Sequence, residues 1–144
     1  PPQYVSEDAV IERSIIGEGS EIFGEVHNSV IGAGVTVAKG AVIRDSIIMR
    51  ESVIGAGSVV DKAVIAENVK IGSNVALGVG EYAPSKYDPK VYQFDLVTVG
   101  ENSIIPDNVK VGKNTAVVGE TIVEDYPDGL LASGDYIIKA GGMR

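Results

Sequence analysis

Residues 28–49 read NSVIGAGVTVAKGAVIRDSIIM, and an aliphatic residue recurs in this stretch at Ile31, Val37, Ile43 and Ile48. The same period continues outward on both sides. The full series of marker positions is Val5, Ile11, Ile16, Ile22, Val26, Ile31, Val37, Ile43, Ile48, Ile54, Val60, Ile65, Ile71 and Leu77, and after a gap Val99, Ile105, Val111 and Val117. Most markers are six residues apart, some are five apart, and Ile22 and Val26 are four apart. A helix would need an apolar repeat near 3.6 residues, and none is sustained here.

The residues around each marker indicate short strands joined by tight turns. The residue two positions before a marker is small or β-branched at Ser14, Ser29, Ala41, Ser46, Ser52, Ser58, Ala63, Val69, Val75, Ser103, Val109 and Thr115. Because residues two apart share one face of a strand, each such pair should point into the same interior. Gly or Asn recurs three residues after many markers, from Gly19 to Asn114. Both residue types adopt a left-handed backbone at low cost.

Three successive markers would close one turn of a triangular prism. Ile31, Ile48 and Ile65 are each 17 residues apart, so we expect them to stack in one interior column. The composition agrees, because the chain has 38 Val plus Ile against 4 Leu, and β-branched side chains favour strands. The pattern therefore predicts an all-β fold, a single-stranded parallel β-helix of about five to six triangular coils over residues 5–122.

One inserted loop interrupts the series between Val79 and Val97. This insertion, 79–97, holds four of the eight aromatic residues, which are Tyr82, Tyr87, Tyr92 and Phe94. They either pack back on the β-helix or contact another subunit or domain, and the sequence leaves both open. Residues 123–144 are expected to cap the last coil. Residues 1–4 begin with two Pro and no Met, and we interpret them as the remnant of an interdomain linker.

The composition excludes several kinds of site and partner. The chain has no Cys, so it can form neither a disulfide nor a thiolate metal site. Its single His cannot supply the three His ligands of a γ-class carbonic anhydrase. The formal net charge of −8 argues against a nucleic-acid partner, because binding phosphates needs a basic surface. No apolar run is long enough to predict a membrane span.

The quoted run, residues 28–49, resembles the C-terminal β-helix of bacterial glucose-1-phosphate adenylyltransferases. The opening residues PPQY resemble the stretch that joins the catalytic domain of those enzymes to the β-helix. The resemblance implies a left-handed coil, although crossover statistics alone would favour a right-handed one. It also implies a cytoplasmic enzyme that makes ADP-glucose and pyrophosphate from ATP and glucose 1-phosphate for glycogen synthesis.

In such an enzyme the β-helix would be the C-terminal oligomerisation and regulatory domain. The resemblance implies contacts with the enzyme's own catalytic domain and with neighbouring subunits of a homotetramer, and part of a site for an anionic metabolite effector. A Gly-rich phosphate loop and the carboxylates that hold Mg²⁺ would lie upstream of Pro1. We therefore expect this chain alone to be non-catalytic and to bind no cofactor or metal.

Three basic residues are candidates to contact an anionic effector, namely Arg44, Arg50 and Lys62. The alternative for each is solvated surface charge. Enteric-type members of the family carry an Arg-rich stretch on these coils. Here the corresponding residues 54–62 read IGAGSVVDK, with one positive charge, so the identity of any effector stays open.

Two rival functions also fit a hexapeptide repeat, because the fold does not name the function. In an acyltransferase, His27 would be the general base, with Glu25 or Glu12 as the carboxylate that orients it. His27 follows the marker Val26, so its side chain should face outward. The other rival is an assembly module of a different sugar-nucleotide pyrophosphorylase, which the composition cannot distinguish from the adenylyl case.

Overall fold

The chain forms a parallel β-helix of very short strands, and the computed structural model describes residues 2–139. The strands in chain order are β1 Tyr4–Val5, β2 Val10–Glu12, β3 Ile15–Ile16, β4 Glu21–Ile22, β5 Glu25–His27, β6 Val30–Ile31, β7 Thr36–Val37, β8 Val42–Arg44, β9 Ile47–Ile48, β10 Val53–Ile54, β11 Val59–Asp61, β12 Ala63–Ile65, β13 Lys70–Ile71, β14 Ala76–Val79, β15 Val97–Val99, β16 Ile104–Ile105, β17 Lys110–Gly112, β18 Thr115–Val118, β19 Leu130–Leu131 and β20 Tyr136–Ile138. Two short 3₁₀ turns, Val123–Asp125 and Pro127–Gly129, separate β18 from β19.

Successive strands are laid on three walls in turn. Wall 1 has the strand order β1-β4-β7-β10-β13-β16, wall 2 has β2-β5-β8-β11-β14-β17-β19, and wall 3 has β3-β6-β9-β12-β15-β18-β20. Neighbouring strands of each wall pair in parallel, with the same register from coil to coil. The predicted all-β parallel β-helix is confirmed, and the architecture is consistent with the left-handed form.

The predicted interior columns are also confirmed. On wall 3, Ile31 pairs with Ile48 and Ile48 with Ile65, and all three side chains are buried. On wall 1, Ile54 pairs with both Val37 and Ile71 in the same way. Stacking identical β-branched residues buries each one against the coils above and below, and each contributes roughly 1.5–3 kcal/mol. The core is therefore a continuous rod along the axis of the prism.

The expected number of coils was too low. Walls 2 and 3 each contain seven strands among the described residues, against the five to six coils predicted. The additional strands are β19 and β20, which pair with β17 and β18. The two 3₁₀ turns lengthen the connection before Leu131, so the six-residue period is lost from the sequence although the coil continues. Pro1 and residues 140–144, parts of the predicted linker remnant and capping tail, lie outside the described residues.

The turns explain why the spacing alternates between five and six. Where the spacing is six, the left-handed residue lies three positions after the marker, as at Gly34 and Asn74. Between walls 2 and 3 the early turns are one residue shorter, and the left-handed residue comes two positions after the marker. The residues there are Arg13, Asn28, Asp45 and Lys62, with φ of 47°, 49°, 51° and 52°. Wall 2 therefore meets wall 3 at a tighter corner than the other two.

The two ends of the described prism differ. Tyr126 is buried in the core at the far end, and its hydroxyl lies 2.8 Å from Thr121 Oγ1. Burial raises the pKa of the Tyr126 phenol to about 12. At the near end, the inward-facing marker Val5 is 43 % exposed, whereas Ile22, its partner in the next coil, is fully buried.

Candidate functional site

His27 lies at the end of β5 on wall 2, between carboxylates of two coils. Its Nδ1 is 2.6 Å from Glu12 Oε1, on β2 of the preceding coil, and its Nε2 is 3.0 Å from Glu25 Oε1 in the same strand. The strand register causes this geometry, because Glu12 pairs directly with His27 and Glu25 lies two residues away on the same face. The sequence named Glu25 or Glu12 as the possible orienting carboxylate, and the structure places both beside the ring.

Two carboxylates favour the charged imidazole. The hydrogen bonds to Glu25 and then to Glu12 raise the pKa of His27 above its ordinary value, and desolvation opposes them only in part. In the imidazolium both ring nitrogens carry a proton, and each donates to a carboxylate. A general base needs a free ring nitrogen to accept a proton from its substrate. Both ring nitrogens of His27 are thus engaged by carboxylates of two coils, which disfavours the acyltransferase interpretation.

Arg44 and Lys62 lie close together at the corner between walls 2 and 3. Arg44 ends β8 and pairs with His27, and the Lys62 backbone N–H donates to the Arg44 carbonyl at 3.1 Å. Arg13, which the sequence analysis did not single out, occupies the same corner and lines one open groove with His27 and Arg44. The sequence feature that could have identified Arg13 is its position two residues after the marker Ile11, which Lys62 shares after the marker Val60. The groove also contains Glu25 and Asp45.

Arg50 is separated from the other two candidates. It follows β9 in the turn toward wall 1, at a different corner of the prism. Its Nε donates to Glu67 Oε2 at 2.6 Å, and Glu51 and Glu101 line the same surface groove. Arg50 is thus neutralised in an acidic setting, and the structure does not bring it together with Arg44 and Lys62.

No residues suited to hold a metal ion were found in the described part of the chain. Over residues 2–139, no group of three or more His, Asp or Glu is placed to bind one. The carboxylates near His27 are engaged by its ring, so they do not form an open oxygen site for Mg²⁺. Within the same residues, no helix is long and apolar enough to cross a membrane.

The insertion packs back against the β-helix through its first half and its final residues. Lys86 N–H donates to the Gly134 carbonyl at 2.8 Å, and Asn114 Nδ2 donates to the Ala83 carbonyl at 2.9 Å. The Tyr87 ring lies 4.8 Å from the ring of Tyr136. Tyr82, Val91 and Phe94 remain exposed. The packing interpretation therefore holds for one part of the loop, and an apolar surface remains on another.

Comparison with known proteins places the chain in a family. The family profile described as "GlmU-like, C-terminal hexapeptide" matches residues 3–99, which is more than half of the chain. The chain belongs to this family. It is 61 % identical over 141 residues to the glucose-1-phosphate adenylyltransferase of Lachnospira eligens, covering 98 % of this chain and 33 % of that protein. It is 53 % identical over 138 residues to the enzyme of Thermotoga maritima, covering 96 % and 33 %.

These relatives are three times longer than the region they share with this chain. The chain spans about a third of the length of each. Among solved structures, a Desulfovibrio desulfuricans protein described as an acetyltransferase superposes with a TM-score of 0.55 at 19 % identity, covering 96 % of this chain and 26 % of that one. At that identity the match supports the shared fold alone, which agrees with the β-helix described above.

Proposed function

We propose that this chain is the C-terminal oligomerisation and regulatory domain of a cytoplasmic nucleotidyltransferase. The parent enzyme would form ADP-glucose and pyrophosphate from ATP and glucose 1-phosphate, for glycogen synthesis. One observation carries the proposal, namely 61 % identity to a glucose-1-phosphate adenylyltransferase over 98 % of this chain.

The named relatives favour this proposal over the two rivals. Eight relatives with 38–61 % identity over 95–98 % of this chain carry the description glucose-1-phosphate adenylyltransferase. This disfavours an assembly module of a guanylyl- or uridylyltransferase. Mg²⁺, which such chemistry requires, would be held by the catalytic part of the longer protein.

The first prediction is that the isolated chain is catalytically inactive. Incubated with ATP, Mg²⁺ and glucose 1-phosphate, it should form no ADP-glucose, because its residues supply no phosphate-binding loop. Incubated with acetyl-CoA and an amine or hydroxyl acceptor, it should transfer no acetyl group. The measurement is product detection by chromatography. ADP-glucose formation would mean that the active site lies in this chain, and acetyl transfer abolished in His27→Ala would restore the acyltransferase interpretation.

The regulatory part of the proposal concerns the tight corner between walls 2 and 3. Arg13, Arg44 and Lys62 lie there on the first, third and fourth coils, and among the described residues none of their side chains makes a hydrogen bond or an ion pair. Their guanidinium and ammonium groups could donate to the oxygens of a phosphate or carboxylate. We propose this corner as the contact surface for an anionic metabolite. Arg50 is no longer a candidate for that contact, because its guanidinium is paired with Glu67.

The second prediction tests that corner with matched Arg variants. Inorganic phosphate and glucose 1-phosphate are titrated into isotopically labelled chain while backbone amide shifts are recorded. Shifts should cluster at the turns after β2, β5, β8 and β11 and should disappear in Arg44→Ala. Arg50→Ala is the control and should behave as the unmodified chain. Equal loss of the shifts in both variants, or no shifts at all, would contradict the corner site.

A further inference from the structure

The groove at the tight corner contains two arginines that are unpaired although carboxylates lie beside them. Its charged lining residues, together with His27, are Arg13, Glu25, Arg44 and Asp45. Glu25 is engaged by His27 Nε2 at 3.0 Å, and Asp45 accepts from Asn28 Nδ2 at 2.7 Å. Among the described residues, neither Arg13 nor Arg44 makes a side-chain hydrogen bond or an ion pair. Both carboxylates of the groove are thus directed to neighbours other than the arginines.

The strand register puts Glu25 within reach of Arg44. Glu25 pairs with Val42 across β5 and β8, and His27 pairs with Arg44 two residues further along both strands. Residues on such a diagonal are about 8 Å apart at their Cα atoms, and long side chains bridge that separation. Asp61 faces Arg44 from β11 without an ion pair to it. Glu25 can therefore turn either to the His27 ring, as it does here, or to the Arg44 guanidinium.

The charge of His27 decides which of these two contacts Glu25 makes. In the imidazolium both ring nitrogens donate, Nδ1 to Glu12 at 2.6 Å and Nε2 to Glu25 at 3.0 Å. The neutral ring carries one proton, and the shorter contact, to Glu12, favours Nδ1 as its position. Nε2 then presents a lone pair to the Glu25 carboxylate, and two acceptors that face each other repel. Loss of the ring proton therefore releases Glu25 from His27.

The same proton also sets the charge of the groove. The charged groups that face His27 from the strands and turns around it are Glu12, Glu25, Arg44, Arg13 and Asp45. With His27 protonated, these groups and the ring comprise three positive and three negative charges, and without that proton they comprise two and three. The groove thus changes from neutral to negative when the proton leaves, and a negative groove repels an anion.

We propose that Glu25 is an internal competitor of the anionic metabolite at the tight corner, and that protonated His27 holds it away from Arg44. This control presupposes the corner site of the proposed function. The metabolite carries a phosphate or another multiply charged oxyanion, because such a group has enough oxygens to accept from both Arg13 and Arg44. Its affinity falls as the pH rises through the pKa of His27, which the hydrogen bonds to Glu25 and Glu12 raise above 6.5.

The third prediction is that anion affinity at the corner depends on pH through His27. Sulfate is the probe, because its charge is constant between about pH 6 and about pH 8.5, whereas phosphate itself titrates in this range. It is titrated at constant ionic strength while backbone amide shifts of the turn after β8 are recorded. The dissociation constant should be about three- to tenfold larger at the higher pH, as expected for one screened unit charge beside a dianion. By linkage, saturating sulfate should raise the pKa of the His27 ring by the corresponding factor.

Two variants separate the roles of the ring and the carboxylate. In His27→Gln the sulfate affinity should no longer depend on pH. In Glu25→Gln, which removes the competing carboxylate, the affinity at the higher pH should approach that of the unmodified chain at the lower pH. Glu67→Gln is the matched control, because Glu67 is also a carboxylate that contacts a basic side chain of a neighbouring coil, that of Arg50 at a different corner, and it should leave the pH dependence unchanged. Circular dichroism would verify that each variant folds.

The possible failures are distinguishable. Sulfate binding that Arg44→Ala abolishes but that has equal affinity at both pH values would overturn the roles of His27 and Glu25 while the corner site stands. No sulfate binding at either pH would overturn the corner site and this control together. A pH dependence that persists in His27→Gln would also overturn the control, since another group would then be titrating. The assignment to an ADP-glucose-forming enzyme does not depend on any of these results.

Discussion

His27 is surrounded by charged side chains of the first three coils. Glu12 on β2 and Glu25 on β5 each accept from one ring nitrogen, and Arg44 on β8 faces His27 from the next coil. Arg13 and Asp45 border the same groove. The hydrogen bonds to Glu25 and Glu12 raise the pKa of His27 and exceed the opposing effect of desolvation, so the folded state binds the His27 proton more tightly than the unfolded chain does.

The fourth prediction follows from the sign of that shift. The His27 pKa is raised in the folded state, so its contribution to stability is fully present below the unfolded value of 6.5 and is lost as the pH rises through the folded pKa. His27 is the single His of the chain, so its ring proton resonance reports the pKa without overlap. Glu25→Gln and Glu12→Gln should each lower the measured value. A pKa at or below 6.5 in the unmodified chain would contradict the two-carboxylate geometry.

Buried serines show what residue patterns alone could not reveal. The sequence showed a small or β-branched side chain two positions before many markers, on the same face of the strand. The structure adds a second reason, because Ser46 Oγ donates to the Arg44 carbonyl at 2.7 Å and accepts from Ala63 N–H at 3.0 Å. Ser52 and Ser58 also bridge coils, but each hydroxyl donates to a carbonyl of the next coil, that of Ala66 or Gly72, as well as accepting from an N–H there. Hydrogen-bond partners 17 residues away depend on the register, which the sequence specifies only once the coils are stacked.

At the scale of elements, the interior columns were predictable and the corners were not. From β4 to β18 each strand buries one aliphatic marker, and such a periodic burial pattern is directly visible in a sequence. The corners between walls 2 and 3 are formed by Arg13, Asn28, Asp45 and Lys62. Arg and Lys rarely adopt positive φ, so their residue types did not predict that Arg13 and Lys62 form turns. The grouping of Arg13 with Arg44 was missed for that reason.

The position of the insertion was predictable from the sequence, but its contacts were not. Its position between β14 and β15 was predicted from the missing markers, and its aromatic content indicated contacts. Its internal contacts depend on residues far along the chain. The Asn114 side chain and the Gly134 backbone carbonyl form hydrogen bonds with the loop. A loop without periodicity carries no pattern from which such partners could be derived.

At the scale of the whole molecule, the prism is a scaffold whose coils depend on their neighbours. A solenoid gains stability from nearest-neighbour contacts, so its exposed surfaces are available for assembly without disturbing the core. The first coil and the tight corner are two such surfaces.

The most direct measurement is made on a chimera, and it is the fifth prediction. The segment of the Lachnospira eligens glucose-1-phosphate adenylyltransferase that matches this chain is replaced by residues 1–144, and ADP-glucose synthesis is assayed beside the parent enzyme and a version lacking the segment. The chimera should assemble like the parent and reach its activity within about tenfold, or ~1.4 kcal/mol in activation free energy, while the truncated version falls well below both. A chimera that folds and assembles as the parent does, yet forms no ADP-glucose, would contradict the account.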